Sequence, residues 1–409
     1  MRRLLQAAAV VFGFWSGVVA QTSDDSSFRQ LYERHAWFDL RDAIAGKSVS
    51  PLYSGSVASA FNRSAEAERY LRRAVREASS VDTATSAREA LANLYMRLGR
   101  SSDMMRILDD ALGAAPTRSD LRNVVQAFAA FRVLPDQTAR PGRGGPFTCS
   151  VGRDGVYLPA VVNGKPVEWL FDSAFTHSAL SESEARMLGI SVHVGAATAE
   201  DFAGGTASMR TGMAARIAIG DAELRNVPVL VFPDSQPPWN QYAPGRRGTI
   251  GLPVILALQS IQWTAEQTCR VGFHSTRSAR PDFNLAFDGA APVARVNALG
   301  KPIELVLDTG NQAGTQLWER FARDFPDVAA QGRKSTKRLS QIGGSAEHQI
   351  VVVPQILLRI GSFGSVLQPA NIFSSPVGNS FQHGNLGVDV LSQAADVSID
   401  FRAMSLAIR

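Results

Sequence analysis

The spacing of apolar residues divides the chain into a helical first third and a strand-rich remainder. From Phe28 to about Val133, apolar side chains recur at helical spacing, as in residues 64–75. The layout of that segment returns in residues 101–112. Beyond Pro146 the period becomes that of β-strands. The pattern therefore predicts a multidomain protein, with an N-terminal all-α domain followed by an all-β region.

The strand-rich region repeats itself with a constant offset. One apolar run ends in Asp172-Ser173-Ala174, and a second ends 136 residues later in Asp308-Thr309-Gly310. The Gly-Lys-Pro turns that precede these runs share the offset, and so do the steps at 248–251 and 384–387. Chance similarity does not hold register over three landmarks. We therefore expect two duplicated all-β lobes.

Composition shifts along the chain predict five segments. Residues 1–20 begin with two arginines and an apolar run shorter than the roughly 20 residues that span a bilayer, which is typical of a signal peptide. We expect cleavage and export to the periplasm or the exterior, without a stable membrane span afterwards; an uncleaved anchor is the alternative. The remaining segments are a helical domain at 25–134, a Pro- and Gly-rich linker at 135–146, lobe 1 at 147–275 and lobe 2 at 281–409.

The helical domain resembles degenerate tetratricopeptide helix pairs. Its two similar segments begin at Ser64 and Ser101, close to the usual repeat length of about 34 residues. A generic helical bundle is the alternative. Either arrangement is more typical of docking than of catalysis, so we expect this domain to be able to bind a protein partner.

Charge and motif content argue against several function classes. Without Arg2 and Arg3 the 42 basic residues become 40 against 37 acidic ones, and they are scattered, so we expect no nucleic-acid partner. The six His residues are dispersed, without a His-Glu-x-x-His helix, and no phosphate-binding loop or Gly-x-Ser-x-Gly elbow occurs. We expect neither a metal nor a cofactor.

The two cysteines lie at opposite ends of lobe 1. Cys149 is near its start and Cys269 near its end, and first and last strands of a compact lobe are often neighbours. In an exported protein two cysteines suffice for one bridge. A disulfide is therefore expected, with two separate buried thiols as the alternative.

The duplicated acids indicate hydrolytic chemistry. A carboxylate at the end of an apolar strand is costly to bury unless it is paired. Asp172 and Asp308 can meet across a pseudo-twofold axis, where both cannot stay ionised and one proton is shared. The charged member can then accept a proton from water while the protonated member hydrogen-bonds a peptide carbonyl. The hydroxyls of Ser173 and Thr309 suit the task of joining the two loops, and Gly310 allows close backbone approach.

Together these features resemble a known protein family. From about Phe147 to Arg409 the chain is similar to two fused bacterial retropepsin-like aspartic protease units, in a bilobal plan like that of pepsins. The resemblance implies a monomeric aspartic endopeptidase acting on an extended peptide or protein. It implies that Asp172 and Asp308 are catalytic. It also implies a supporting set and a flap set: Ser173, Ala174, Thr309 and Gly310 in the catalytic loops, and Gly204, Gly205, Gly343 and Gly344 in two mobile flaps.

Three residues depart from the family pattern. Ala174 adds a methyl group where Gly is usual, and Phe175 and Asn311 stand where a small residue is common. They motivate an alternative hypothesis, a catalytically inactive peptide-binding or scaffold protein steered by the helical domain. His177 could line the cleft or be an ordinary hydrogen-bonded or exposed histidine.

Overall fold

The computed structural model describes residues 23–193, 197–200, 206–274, 283–341, 344–374 and 381–409. The predicted signal peptide and the flap residues Gly204, Gly205 and Gly343 lie outside these ranges. Within them, no helix has the length and apolar character needed to cross a bilayer.

Helices make up the first part of the described chain, and each of α3 to α7 packs against the one before it. Serine side chains cap two of them, since Ser50 Oγ accepts from the Leu52 amide and Ser80 Oγ accepts from the Thr83 amide. The tetratricopeptide-like arrangement remains a prediction. The helices are α1 (Ser23–Glu33), α2 (Trp37–Ile44), α3 (Pro51–Ala60), α4 (Ser64–Glu77), α5 (Val81–Arg97), α6 (Ser101–Ala114) and α7 (Ser119–Ala127), followed by a 3₁₀ turn at Ala129–Val133.

Lobe 1 is built on one large curled sheet. The segment predicted as a linker contributes its edge strand β1, which pairs antiparallel with β10. The strands are β1 (Thr138–Arg140), β2 (Pro146–Thr148), β3 (Ser150–Gly152), β4 (Gly155–Val162), β5 (Lys165–Phe171), β6 (Ser178–Ser181), β7 (Ser191–Val192), β8 (Ala197–Glu200), β9 (Thr206–Ile219), β10 (Ala222–Phe232), β11 (Gly248–Ile250), β12 (Ser260–Thr264) and β13 (Thr268–Val271). Two short helices, α8 (Glu182–Met187) and α9 (Leu252–Leu258), and a 3₁₀ turn at Trp239–Gln241 complete it.

Lobe 2 repeats this plan. Its later strands are interrupted at Pro354 and Pro369, whereas β9 and β10 of lobe 1 are continuous. The strands are β14 (Leu285–Asp288), β15 (Ala291–Ala298), β16 (Lys301–Leu307), β17 (Gln316–Leu317), β18 (Arg333–Gln341), β19 (Gly344–Val353), β20 (Ile356–Ile360), β21 (Phe363–Leu367), β22 (Ala370–Phe373), β23 (Gly384–Leu386), β24 (Asp396–Asp400) and β25 (Ser405–Ile408). The helices are α10 (Glu319–Asp324), α11 (Pro326–Ala330) and α12 (Val388–Leu391).

Equivalent elements carry the offset seen in the sequence. β4, β5, β11 and β12 begin 136 residues before β15, β16, β23 and β24. In each lobe the central strand pairs antiparallel with the strand before it and parallel with the later short strand. Both hairpins turn through two residues with positive φ, Asn163-Gly164 and Leu299-Gly300. The fold is therefore an N-terminal helical domain followed by a bilobal all-β structure of the acid-protease type.

A third sheet joins the lobes. It has the order β2-β13-β12-β24-β25, in which β12 of lobe 1 pairs antiparallel with β24 of lobe 2. Ile261 and Ile399 are partners there, and both are buried. Because the two strands are equivalent copies, this pairing places the lobes about a pseudo-twofold axis.

The helical domain packs against the start of lobe 2. Arg97 of α5 is buried, and its guanidinium carbon lies 4.4 Å from the ring centroid of Phe287. His35 Nδ1 and Trp37 Nε1 lie 2.6 Å and 3.0 Å from Asp288 Oδ1. These contacts fix the domain beside the β14–β15 hairpin.

Candidate active site

Two buried strands deliver one aspartate each to the junction of the lobes. Asp172 follows β5 and Asp308 follows β16, both rich in fully buried apolar side chains. The Asp172 amide donates to the Ile250 carbonyl at 3.1 Å, and the Asp308 amide donates to the Leu386 carbonyl at 3.0 Å. The backbone of each acid is thus anchored in the same way to the equivalent strand of its lobe.

Reciprocal hydroxyl bonds fasten the two aspartate loops together. Thr309 Oγ1 donates to the Phe171 carbonyl at 2.8 Å and accepts from the Ser173 amide at 2.9 Å. Ser173 Oγ donates to the Leu307 carbonyl at 2.7 Å and accepts from the Thr309 amide at 3.1 Å. All four bonds cross from one lobe to the other and are buried. They leave the loops little freedom to separate.

This arrangement brings the two carboxyl groups together. The charge of Asp308 raises the pKa of Asp172, so the two carboxyl groups lie close enough to interact directly. A β-carbon built on Gly310 would lie 2.2 Å from Asp172 Oδ2, so the backbone of lobe 2 approaches the acid of lobe 1 as only glycine permits. The Ala174 amide donates to Asp172 Oδ1 at 3.0 Å, and the Gly310 amide donates to Asp308 Oδ1 at 3.2 Å.

The pair holds a proton that isolated carboxylates would lose. Burial, followed by the charge of Asp308, raises the pKa of Asp172 well above its usual range. Burial also raises the pKa of Asp308, against the lowering effect of hydrogen bonds led by that from Asn385. Because burial and like-charge repulsion oppose ionisation of both acids, the pair favours a state with one proton between them.

Asn385 contacts the site although the sequence analysis assigned it no role. Its Nδ2 donates to Asp308 Oδ2 at 2.7 Å, and the side chain is 5% exposed. The available signal was the register of the repeat, because Asn385 is the equivalent of Thr249 in lobe 1. That comparison identifies an asymmetric position but not where its side chain points.

Two residues that depart from the family pattern, Ala174 and Phe175, pack in apolar surroundings. Ala174 packs against an apolar cluster of lobe 2 that includes Val306 and Leu339. The Phe175 ring lies 6.5 Å from that of Phe232 and 6.3 Å from that of Trp239, in an aromatic group of lobe 1. The loop therefore accommodates the methyl group of Ala174 and the ring of Phe175, because both side chains pack among apolar neighbours.

Asn311 and His177 also have defined surroundings. Asn311 Nδ2 donates to the Gly314 carbonyl at 2.9 Å, within its own loop. His177 is buried between the rings of Phe128 and Phe131, at centroid distances of 5.3 Å and 5.0 Å, and burial lowers its pKa to about 3. It contacts the helical domain rather than lining the cleft.

The strands of the two predicted flaps pair as antiparallel hairpins. β8 pairs with β9, and β18 pairs with β19, where Gly344 faces Gln341. Lys337 Nζ of β18 donates to the Ala313 carbonyl at 3.3 Å, so the second hairpin contacts the segment that follows Asp308. On β9, Ala207 and Met209 belong to the buried cluster of the helical domain. The two hairpins thus have different neighbours.

Tyr242, in the long loop after β10, contacts the aspartate loop of lobe 2. Gln312 Nε2 donates to Tyr242 Oη at 3.0 Å and to the Asp154 carbonyl at 2.9 Å. Both partners of Gln312 belong to lobe 1. These bonds link the two lobes beside the aspartate loop of lobe 2, and the sequence analysis did not identify Gln312.

The cysteines stabilise lobe 1 rather than the site. Cys149 and Cys269 form a disulfide with a Cα–Cα distance of 5.8 Å. Among the described residues, no three or more His, Cys, Asp and Glu side chains are arranged to hold a metal ion.

Comparison with known proteins gives one family match. Residues 158–254 match the family model described as aspartyl protease, a range that includes Asp172 but not Asp308. A solved retropepsin-like aspartic protease from Rickettsia conorii is similar at 15% identity, covering 34% of this chain and 96% of that chain with a TM-score of 0.25. No curated protein matches. Over residues 158–254, the chain is therefore similar to the aspartyl protease family.

Proposed function

We propose that this chain is an exported aspartic endopeptidase that hydrolyses peptide bonds between the carboxyl groups of Asp172 and Asp308. The observation that carries the proposal is the buried acid pair, one member from each lobe, whose loops are held together by the reciprocal bonds of Ser173 and Thr309. The match to the aspartyl protease family over part of lobe 1 supports it.

The geometry fits general acid–base hydrolysis. With one proton on the pair, the ionised carboxyl group accepts a proton from a water molecule as the water oxygen attacks the peptide carbonyl. The protonated carboxyl group donates its proton to the carbonyl oxygen, which stabilises the tetrahedral intermediate. The two groups exchange roles as the amine leaves. The mechanism needs one protonated and one ionised carboxyl group, and burial beside a second carboxyl group favours retention of one proton by the pair.

An extended peptide or protein segment is the proposed substrate. The hairpins β8–β9 and β18–β19 would offer strand backbone with which an extended peptide can pair. The contacts of the helical domain with His177 and with β9 support a bracing role for that domain, which would also receive any protein partner.

A peptide-binding protein without catalysis is the alternative. The reason for this hypothesis was possible steric interference by Ala174, Phe175 and Asn311 at the acid pair. The packing of Ala174 and Phe175 against apolar neighbours weakens that reason. Such a protein would bind extended peptides and leave them intact.

The test is cleavage of a peptide library by the full chain from acidic to neutral pH. Removing either member of an acid–base pair is expected to lower kcat/KM by at least about 10²-fold, so Asp172→Asn and Asp308→Asn should both be nearly inactive. Asp327→Asn, at an exposed acid of lobe 2, is the matched control and should cleave like the wild type. Cleavage that survives in both dyad variants would exclude the mechanism.

A further inference from the structure

The two halves of the acid pair receive the same backbone support but different side-chain support. Asp172 is stabilised by the amides of Ala174 and Phe175, and Asp308 by the equivalent amides of Gly310 and Asn311. These donors are copies of each other, so they do not favour ionisation of one acid over the other.

Asn385 breaks this equivalence. Its Nδ2 lies 2.7 Å from Asp308 Oδ2 and donates to it, while Gly310 donates to Oδ1, so both oxygens of Asp308 face hydrogen-bond donors. On Asp172, Oδ1 accepts from the Ala174 amide at 3.0 Å, and Oδ2 lies 2.2 Å from the place that a β-carbon on Gly310 would take. Asp308 therefore has a side-chain donor in addition to its backbone donors, and such a donor favours the ionised form of the carboxyl group that accepts from it.

The orientation of the Asn385 amide is fixed by a neighbour. Asn311 Nδ2, which also donates to the Gly314 carbonyl, lies 3.3 Å from Asn385 Oδ1 and donates to it. The oxygen of Asn385 therefore faces Asn311, and its NH₂ group must face Asp308. Because the side chain is buried, a flipped amide would leave two donors in contact. In lobe 1 the corresponding positions hold Thr249 and Phe175, which cannot form this relay.

We propose that Asn385 is a positioning residue that keeps the shared proton on Asp172, so that Asp308 accepts the proton of the attacking water. The inference rests on the proposed aspartic protease function. Asn385 contacts Asp308 rather than acting on the substrate itself. Asn311, whose place in lobe 1 is taken by Phe175, serves as the orienting partner of Asn385.

Other charged groups near the loop do not supply this asymmetry. Asp172 is the titratable group among the largest influences on the pKa of Asp308, and the others are hydrogen-bond donors and burial. Lys337, on the hairpin strand packed over the loop, bonds the Ala313 carbonyl and interacts with Asp389. Asp389 in turn accepts from Thr315 Oγ1 at 2.7 Å. The protonation preference of the dyad therefore depends on the amide of Asn385.

The experiment compares Asn385→Thr, Asn385→Asp and Thr249→Val by the pH dependence of kcat/KM, which reports the ionisations of the free enzyme. Asn385→Thr installs the residue of lobe 1 and removes the donor. The acidic limb of the pH profile of kcat/KM, where the acid pair loses its first proton, should shift to higher pH by about one unit in this variant. Asn385→Asp preserves the shape but adds a third carboxyl group, so its limb should move further. Thr249→Val should leave the limb in place.

A purely structural role predicts the opposite order, with the isosteric Asn385→Asp resembling the wild type and Asn385→Thr more affected. That order, or an unmoved limb in Asn385→Thr, would overturn the inference. A wild-type chain that cleaves no peptide would instead refute the proposed function. In that case the titration of ¹³C-labelled aspartate carboxyls still decides the inference, since Asp308 should titrate at higher pH in Asn385→Thr than in the wild type.

Discussion

The bonds between the two aspartate loops can be tested through Thr309→Val. The substitution keeps the size and branching of the side chain but removes the hydroxyl group. The Ser173 amide then loses its acceptor and the Phe171 carbonyl loses its donor, and Thr309 is only 1% exposed, so water does not readily replace them. A buried polar group left unpaired costs about 1–3 kcal/mol. We therefore expect the free energy of unfolding to fall by about 2–5 kcal/mol.

Urea unfolding of the full chain at neutral pH measures this loss. The matched control is Thr336→Val, at an exposed position of β18 where Thr336 Oγ1 donates to Glu347 at 2.9 Å. Water can replace that bond, so the control should change stability by no more than about 0.5 kcal/mol. Peptide cleavage should also fall in Thr309→Val, because the spacing of the carboxyl groups depends on these bonds. A stability loss in Thr309→Val as small as that of the control would refute the reasoning.

Three further perturbations test other parts of the structure. Gly310→Ala places a methyl group 2.2 Å from Asp172 Oδ2, so it should abolish cleavage while circular dichroism shows a folded protein. Folding raises the pKa of Asp172, so this acid destabilises the folded protein at pH values where it is ionised in the unfolded chain. The urea midpoint of Asp172→Asn should therefore exceed that of the wild type at neutral pH and converge with it below about pH 3.8. Equal midpoints at neutral pH would contradict the raised pKa of Asp172. Replacing Cys149 and Cys269 with Ala opens a loop of 120 residues and should lower the free energy of unfolding by about 3–5 kcal/mol, and an unchanged value would show that the bridge is energetically idle.

Much of the fold follows from the sequence because the duplication is encoded in local patterns. The offset of 136 residues relates apolar strands, turns and acids, and strand pairing repeats it in space. Each Asp lies at the end of a buried strand, so pairing of Asp172 with Asp308 could be inferred without coordinates. The reciprocal bonds of Ser173 and Thr309 follow from that same symmetry.

Other features could not be predicted because they depend on side-chain direction or on contacts between distant segments. A bulky Phe175 beside the acid suggested a blocked site, but the direction in which the ring turns is set by Phe232 and Trp239, which follow it by more than fifty residues. The segment 135–146 reads as a linker by its Pro and Gly content. Thr138–Arg140 nevertheless forms a strand, because it pairs with the distant strand β10 and the segment's own sequence does not reveal that partner.

The site combines symmetry and asymmetry, and the two have separate origins. Symmetry brings two carboxyl groups into contact, because equivalent strands and hydroxyls meet about one axis. A perfectly symmetric pair would leave its proton without a preferred side, whereas hydrolysis needs one acid and one base at each step. The departures of lobe 1 from the family pattern, Ala174 and Phe175, face apolar groups, while Asn311 in lobe 2 bonds Asn385. The sequence differences between the two lobes therefore need not reduce activity. In the proposed mechanism they make the two acids inequivalent, and this determines which acid holds the shared proton.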